Sequence, residues 1–499
     1  MKFRAIVLLA FSITLSLEVI LLGCTNREGE ELAKSYCSSC HLFPEPSLLP
    51  KNVWQLSTLP YMGILMGLDR EISNLPKELK DYTLLKPKDA LISQKDFEKI
   101  KAYYISSAPE KLEHPPYTKL ATLDKLFKIE KLEVKLDSSQ IPNYTAIRID
   151  EKSQKIIAGD QANRVIWITD SKGKAIKSFK DKDALAYVDI TPNNDYLLTY
   201  IGYTTQANPL VNGSAEWLKL NGSLSKTLTE LNRPIEILSR NIDEEPDEEL
   251  ICNEFGFKEG GLSVWKKDKT GKYEKKVINP QTGATKTIVK DFNNDGKPDI
   301  LSLCAQGDER IILYINKGGL VFEEKQLLRF PSIYGSSSFD IADINDDGEF
   351  DIIYTAGDNA DFTTVLKPYH GVYVFLNKGN FKFEQSQFFA QNGATKVISG
   401  DFDNDGDVDM VSIALFPDVN NRAEEGFIYF ENQKGNFIQK TLPINHLGRW
   451  AVMDAGDLDN DGDIDLVLGS HPVAKFPAGF DQAWKQGSGL VILRNMTIK

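Results

Sequence analysis

Cys37, Ser38, Ser39, Cys40 and His41 place two thiols and an imidazole within five consecutive residues. Each has a job in covalent haem attachment. The thiols add across the haem vinyl groups as thioethers, and the histidine supplies a nitrogen ligand to the iron. A Cys-x-x-Cys pair also serves as a redox disulfide or as half of a zinc site. The adjoining histidine points to haem c, and no second Cys pair is present to complete a zinc site. The distal ligand has to come from elsewhere. Met62 and Met66, in Leu59-Pro-Tyr-Met-Gly-Ile-Leu-Met-Gly67, are the methionines of this region. Met62 follows a proline turn and precedes a glycine, so it is expected in a loop as the distal thioether. Met66, His114 or an open position are the alternatives. His-Met ligation implies a raised potential and electron transfer, whereas an open position admits ligand chemistry.

A second chemistry repeats four times. The segments 291–300, 343–352, 401–410 and 457–466 follow the pattern D-x-[DN]-x-D-G-x-x-D and then an apolar residue. Oxygen ligands at positions 1, 3, 5 and 9, with the carbonyl at position 7, can wrap a hard cation, and the glycine at position 6 permits the sharp turn. The candidate ligands are Asp291, Asn293, Asp295 and Asp299; Asp343, Asn345, Asp347 and Asp351; Asp401, Asp403, Asp405 and Asp409; and Asp457, Asp459, Asp461 and Asp465. Oxygen-only loops of this kind suit Ca²⁺, giving about four sites. An EF-hand would need Glu at position 12, where this chain has Ser302, Tyr354, Ser412 and Leu468. Fourteen carboxylates at the ligand positions would repel one another without cations, and four Ca²⁺ would take the net charge of −13 to −5.

The elements that must hold these loops are short strands. The loops start 52, 58 and 56 residues apart, a period that indicates a β-propeller. Weaker copies lie at 241–250, where Pro246 replaces the glycine, at 189–195 and at 148–150, which makes seven units. No metal is assigned to those three. Each strong loop is followed by a strand, an Asn-Lys-Gly type turn and another strand, as in Gly371–Phe383. The last unit ends at Leu490–Leu493 without an outer partner, and Phe127–Leu136 alternates in the way needed to supply it. The motifs resemble the FG-GAP, or VCBS-type, repeats of integrin-like seven-bladed propellers over roughly residues 125 to 499. That resemblance implies a mainly β fold with Ca²⁺ held in the four intact loops.

Upstream, Lys2 and Arg4 precede an apolar run from Ala5 to Leu22 that ends in Leu21-Leu22-Gly23-Cys24. This resembles a lipoprotein signal, so 1–23 is expected to be removed and Cys24 lipidated. Thr25 follows Cys24, which favours the outer membrane of a bacterial envelope. Residues 24–110 read as a small all-α cytochrome c-like domain, 111–124 as a linker and 125–499 as the propeller. Gln94–Ile105 sets Phe97, Ile100 and Tyr104 on one face, with Ser93 as its cap. Cys252 and Cys304 are either small buried hydrophobes or a disulfide between neighbouring repeats.

The whole arrangement resembles haem-bearing repeat lipoproteins of Bacteroidota-type bacteria. It implies a lipid-anchored electron-transfer protein whose propeller binds a protein or small-molecule partner, with a redox partner protein or a small electron donor or acceptor. An oxidoreductase passing electrons from a propeller-bound substrate to the haem is one alternative. A surface adhesion or glycan-binding protein with accessory haem is the other. No catalytic constellation stands out. His370, His446 and His471, with Asp358, Asp361 and Arg449, read either as solvated loop residues or as the lining of the propeller's central mouth, and Trp484, in Asp481-Gln-Ala-Trp484, as a lone aromatic candidate for a sugar platform. The net charge of −13 argues against nucleic acid.

Overall fold

The computed structural model describes residues 27–499, apart from 76, 118, 133–139, 182, 192, 204, 206–207, 220–221, 360–364, 473–483, 485–488 and 499. The signal run, the lipobox and Cys24 therefore lie outside the described residues. The chain forms two compact units. One comprises Met1–His114 with Pro331–Ile333 and Ala360–Lys367, and the other holds the rest.

The second unit is built from seven antiparallel sheets of at least four strands, one per repeat. We number them as blades 1 to 7 along the chain. The first strand of each blade packs beside the first strand of the next, so these strands line the axis. They run Tyr144–Asp150, Ala184–Ile190, Pro234–Arg240, Ala284–Lys290, Ser336–Ala342, Ala394–Gly400 and Trp450–Gly456. The second strands, such as Asp299–Cys304 and Asp409–Ala414, are buried at every position except Lys155, which opens that of blade 1. Neighbouring blades cover both of their faces, which is why they read as continuous apolar runs and not as an alternation. The outer strands, such as Phe322–Arg329, have only one covered face and alternate with exposed charge.

Four axial carboxylates tie adjacent blades by accepting a backbone N–H from the next inner strand. Asp454 accepts from Ile149 at 2.8 Å, and Asp189 from Ser239 at 2.8 Å. Glu236 accepts from Thr287 at 2.6 Å, and Asp340 from Ser399 at 2.9 Å. Each satisfies a donor that would otherwise be left unpaired at a blade seam.

Closure follows the sequence expectation. Phe127–Lys131 pairs antiparallel with Leu490–Asn495, with Phe127 opposite Asn495 and Lys131 opposite Val491, and supplies the outer strand of blade 7. Residues 133–136 of the expected strand lie outside the described residues. Where a linker is expected, Ala121–Thr122 pairs parallel with Lys440–Thr441 and adds a fifth strand to blade 6.

The first unit is helical. A helix at 27–37 leads into the Cys37–His41 segment. Lys51–Val53 continues through a π-wound turn, Trp54–Thr58, into a helix at Leu59–Leu65. Gln94–Ser107 forms the longest described helix of this unit, and the Ser93 side chain accepts the Asp96 N–H at its start. Its inward face carries Phe97, Ile100 and Tyr104, all buried against Trp54 and Leu59.

Candidate haem and calcium sites

Cys37 sits on the last turn of the 27–37 helix, and the chain turns through Ser38–Cys40. The Ser39 side chain and N–H both bond to Tyr36 O, at 2.6 and 3.3 Å, which fixes that turn. Cys37 is buried in the cluster of Trp54, Phe97 and Tyr104, Cys40 is exposed, and neither is in a disulfide. Burial pushes the Cys37 thiol up to about 11. A redox-active Cys-x-x-Cys pair requires the opposite shift.

The imidazole is oriented. His41 Nδ1 donates to the Leu42 carbonyl oxygen at 2.9 Å, which leaves the lone pair on Nε2 for a metal. The loop that follows is pinned at two carbonyls. Tyr104 Oη donates to Pro44 O and Trp54 Nε1 to Pro46 O, each at 2.9 Å. Leu42, next to His41, is 38% exposed. Two unbridged thiols and an oriented imidazole fit a covalently held haem.

Met62 is not in a loop. It lies inside the Leu59–Leu65 helix and is half-buried. Pro60 follows directly on the π-wound turn Trp54–Thr58, and the backbone at Val53, Thr58 and Leu59 is helical, so the helical run passes through the proline instead of breaking there. Met66, just past the helix end, packs against the cluster that holds Cys37.

The four acidic loops share one backbone. Position 4 (Asn294, Asp346, Asn404, Asn460) and the glycine at position 6 both take positive φ, between 57° and 98°. The position-1 carboxylate accepts the N–H groups of positions 5 and 6, as Asp401 does from Asp405 and Gly406 at 3.1 and 3.0 Å. These turns aim oxygens inward. Asp401, Asp403 and Asp405 bring one oxygen each within 4.8 Å of the others, and so do Asp457, Asp459 and Asp461. That donor set fits Ca²⁺. In blades 4 and 5, Asn293 and Asn345 stand at position 3 and donate to Asp295 and Asp347, at 3.1 and 2.9 Å.

Position 9 has a role that the ligand pattern did not suggest. Asp299, Asp351, Asp409 and Asp465 are fully buried. One oxygen accepts the position-2 N–H, as in Phe402 to Asp409 at 3.2 Å. The other accepts the N–H of an asparagine in the last two residues of the third strand: Asn316, Asn377, Asn432 or Asn495, at 2.7–2.8 Å. Burial raises these carboxyls, Asp409 to about 6 and Asp465 to about 7. The recurring Asn of the Asn-Lys-Gly type turns was the available signal for this clamp.

The weaker loops diverge. Pro246 cannot adopt the glycine conformation, and the 241–249 loop closes instead through Asn241 bonded to Glu244 N and Glu245 O. On the same side of the propeller, the axial strands of blades 1, 2, 3 and 7 surround a polar recess of about 620 Å³, lined among others by Arg148, Asp150, Asn194, Ser239, Arg240 and Glu248. Its signal in the sequence was paired charges on otherwise apolar inner strands.

Other candidates resolve more simply. Trp484 is buried and donates to Asn445 O at 2.9 Å, so it offers no open platform to a sugar. His370 is buried, and His471 is pushed down to about 4 by burial and then by Arg449. Asp361 lies outside the described residues. Cys252 and Cys304 are buried free thiols on second strands, so the disulfide alternative fails.

Residues 291–354 and 359–412 match the FG-GAP-like repeat family. The chain carries FG-GAP-like repeats in a seven-bladed propeller. The matched segments run from the acidic loop of blade 4 through blade 5 into blade 6. No curated protein matches the sequence. Among solved structures, a Bacteroides fragilis protein described as a 6-phosphogluconolactonase is 12% identical with a TM-score of 0.40, and the match covers 65% of this chain and 97% of that one. The N-terminal domain of Nup159 is 10% identical with a TM-score of 0.45, over 77% and 99% of the two chains.

Proposed function

We propose that this protein is a lipid-anchored, extracytoplasmic haem protein that transfers electrons, with a calcium-stabilised propeller as its binding module. The observation that carries the haem reading is the Nδ1 bond of His41 to Leu42 O, beside the two unbridged thiols of Cys37 and Cys40. Haem, when bound, supplies one-electron chemistry at iron. The chain's own part is to hold it covalently through Cys37 and Cys40, present His41 Nε2, and offer a thioether from Met62 or Met66. Cys24 would carry the lipid and tether the protein to the envelope, with the outer membrane favoured. A propeller of FG-GAP-like repeats supports a binding or adhesion-type role.

The decisive experiment uses purified full-length protein. Haem should remain with the polypeptide after denaturation and acid-acetone extraction, and a Cys37→Ala, Cys40→Ala protein should lose it. Extraction of the haem from the wild type ends the reading. Changing Met62 and Met66 singly to Ala should alter the reduced-minus-oxidised spectrum in one case only, which identifies the distal ligand. Mass spectrometry should find a diacylglyceryl group on Cys24.

A second reading is favoured by the polar recess over blades 1, 2, 3 and 7. There the propeller holds a small polar substrate and passes its electrons to the haem. Haem reduction that depends on an added sugar or other small reductant, and that is lost in Arg240→Ala, would select this reading over simple electron carriage.

A further inference from the structure

The loops of blades 6 and 7 look interchangeable. Both have Asp at positions 1, 3, 5, 7 and 9. The structure separates them through one residue on the third strand of each blade. Met410 pairs with Phe430 in blade 6 and Leu466 with Leu493 in blade 7, so the residues that follow, Glu431 and Arg494, are equivalent. In blades 4 and 5 that position is Ile315 and Leu376.

Arg494 turns its guanidinium into the acidic loop. Nη1 lies 2.5 Å from Asp465 Oδ2 and 3.3 Å from Asp459 Oδ2, the ninth and third positions. Nη2 donates to Ser171 O at 2.6 Å, and Nε stands 3.7 Å from Glu130 on the closing strand. The side chain is only 9% exposed, so the charge is fixed there and poorly screened by solvent. Glu431, by contrast, is held by Lys440 and by Gln433, and brings no cation to the Asp401 loop.

Blade 3 shows the same device in a loop that has lost its glycine. There the equivalent residue is Lys266, since Leu250 pairs with Trp265, and its ammonium pairs with Asp243, the third position of the loop. A third-strand cation on the position-3 carboxylate thus occurs in two blades.

We infer that Arg494 is the built-in counter-ion of the 457–465 loop, so that Ca²⁺ occupies the loops of blades 4, 5 and 6 but not that of blade 7. A guanidinium already neutralises part of the ligand set, and a divalent ion placed against it would meet direct repulsion. Because the same guanidinium bonds blade 1 through Ser171 and stands beside Glu130, the seam that closes the propeller is held without metal. This inference rests on the calcium reading above, and its test separates the two.

Full-length wild type, Asp403→Asn, Asp459→Asn and Arg494→Gln would be dialysed against buffered Ca²⁺, and bound calcium measured per chain by elemental analysis. We expect three Ca²⁺ in the wild type, one fewer in Asp403→Asn, no change in Asp459→Asn and one more in Arg494→Gln. If Asp459→Asn loses as much calcium as Asp403→Asn, the blade 7 loop is an ordinary site and the inference falls while the calcium reading stands. A folded Arg494→Gln that gains none also overturns it. If no protein holds calcium, both fall. Should Arg494→Gln fail to fold, the Asp403 and Asp459 pair decides alone.

Discussion

Asp409 Oδ1 accepts the backbone N–H of Asn432 at 2.7 Å. The same carboxylate takes the Phe402 N–H at 3.2 Å and the Tyr429 hydroxyl at 2.7 Å. One buried side chain therefore joins the acidic loop, the second strand and the end of the third strand of blade 6. Asp409→Ala leaves those donors buried and unpaired, at a cost of roughly 3–5 kcal/mol. Asp405→Ala removes an exposed ligand oxygen and should cost less than about 1 kcal/mol in the same assay. Both are to be measured by denaturant unfolding with a chelator present, so that loss of metal does not contribute. Equal destabilisation would mean that position 9 is not a clamp.

The loops and the closing strand were legible because their signals are local: a glycine at a fixed offset, a carboxylate on every other position, and an alternating strand with no partner. The clamp at Asp409 was hidden because its donors, Phe402 and Asn432, contribute backbone N–H groups that carry no mark in a sequence. Arg494 was hidden because its role depends on strand pairing, which sets it against a loop 29 residues upstream. Met62 was misplaced because Pro60 was read as a loop signal, whereas the helical run that enters through the π-wound turn Trp54–Thr58 carries on past it. Trp484 looked like a platform until its indole N–H was found spent on Asn445.

The closing strand should be worth much of the propeller's stability. Phe127 is buried, its ring 6.2 Å from Phe402 and 6.5 Å from Tyr429 in T-shaped contacts. Phe127→Ala removes that ring from the core shared by blades 6 and 7 and should destabilise by about 3–5 kcal/mol. Lys128→Ala, on the exposed face of the same strand, should stay within about 0.5 kcal/mol. If thermal melts of the two variants coincide, the pairing of Phe127–Lys131 with Leu490–Asn495 does not hold the ends together.

Glu236 makes stability depend on pH. Burial raises its carboxyl from 4.5 to about 7, against the N–H of Thr287 and the charge of Lys286, which favour the anion. The folded state thus holds the proton more tightly than the unfolded state does. The contribution is fully present below pH 4.5 and is lost as pH rises through about 7. Glu236→Gln keeps an oxygen for Thr287 N and for Asn253 Nδ2 but cannot ionise. It should gain on the order of 1–3 kcal/mol over the wild type at pH 8 and little at pH 5. Unfolding curves at the two pH values check this; a difference independent of pH would refute it.

Tyr104 links the helical unit's core to the segment behind His41. Its hydroxyl is buried and donates to Pro44 O at 2.9 Å, while Trp54 donates to Pro46 O and packs against the Tyr104 ring with centroids 4.3 Å apart. Tyr104→Phe keeps the ring and the packing but leaves the Pro44 carbonyl without that donor. The expected cost is about 1–3 kcal/mol in unfolding of this unit. Cys37 loses its hydrogen bond with the Tyr104 hydroxyl, but both thiols are still present, so covalent haem should remain at full stoichiometry. Loosening of the Leu42–Pro46 loop should instead appear at the imidazole, as a displaced midpoint potential in redox titration, because the carbonyl that orients His41 belongs to Leu42. Tyr104→Ala, which also removes the ring, should lower stability by a further amount of about 2 kcal/mol or more. A Tyr104→Phe protein with wild-type stability and potential would show that the hydroxyl does not hold this loop.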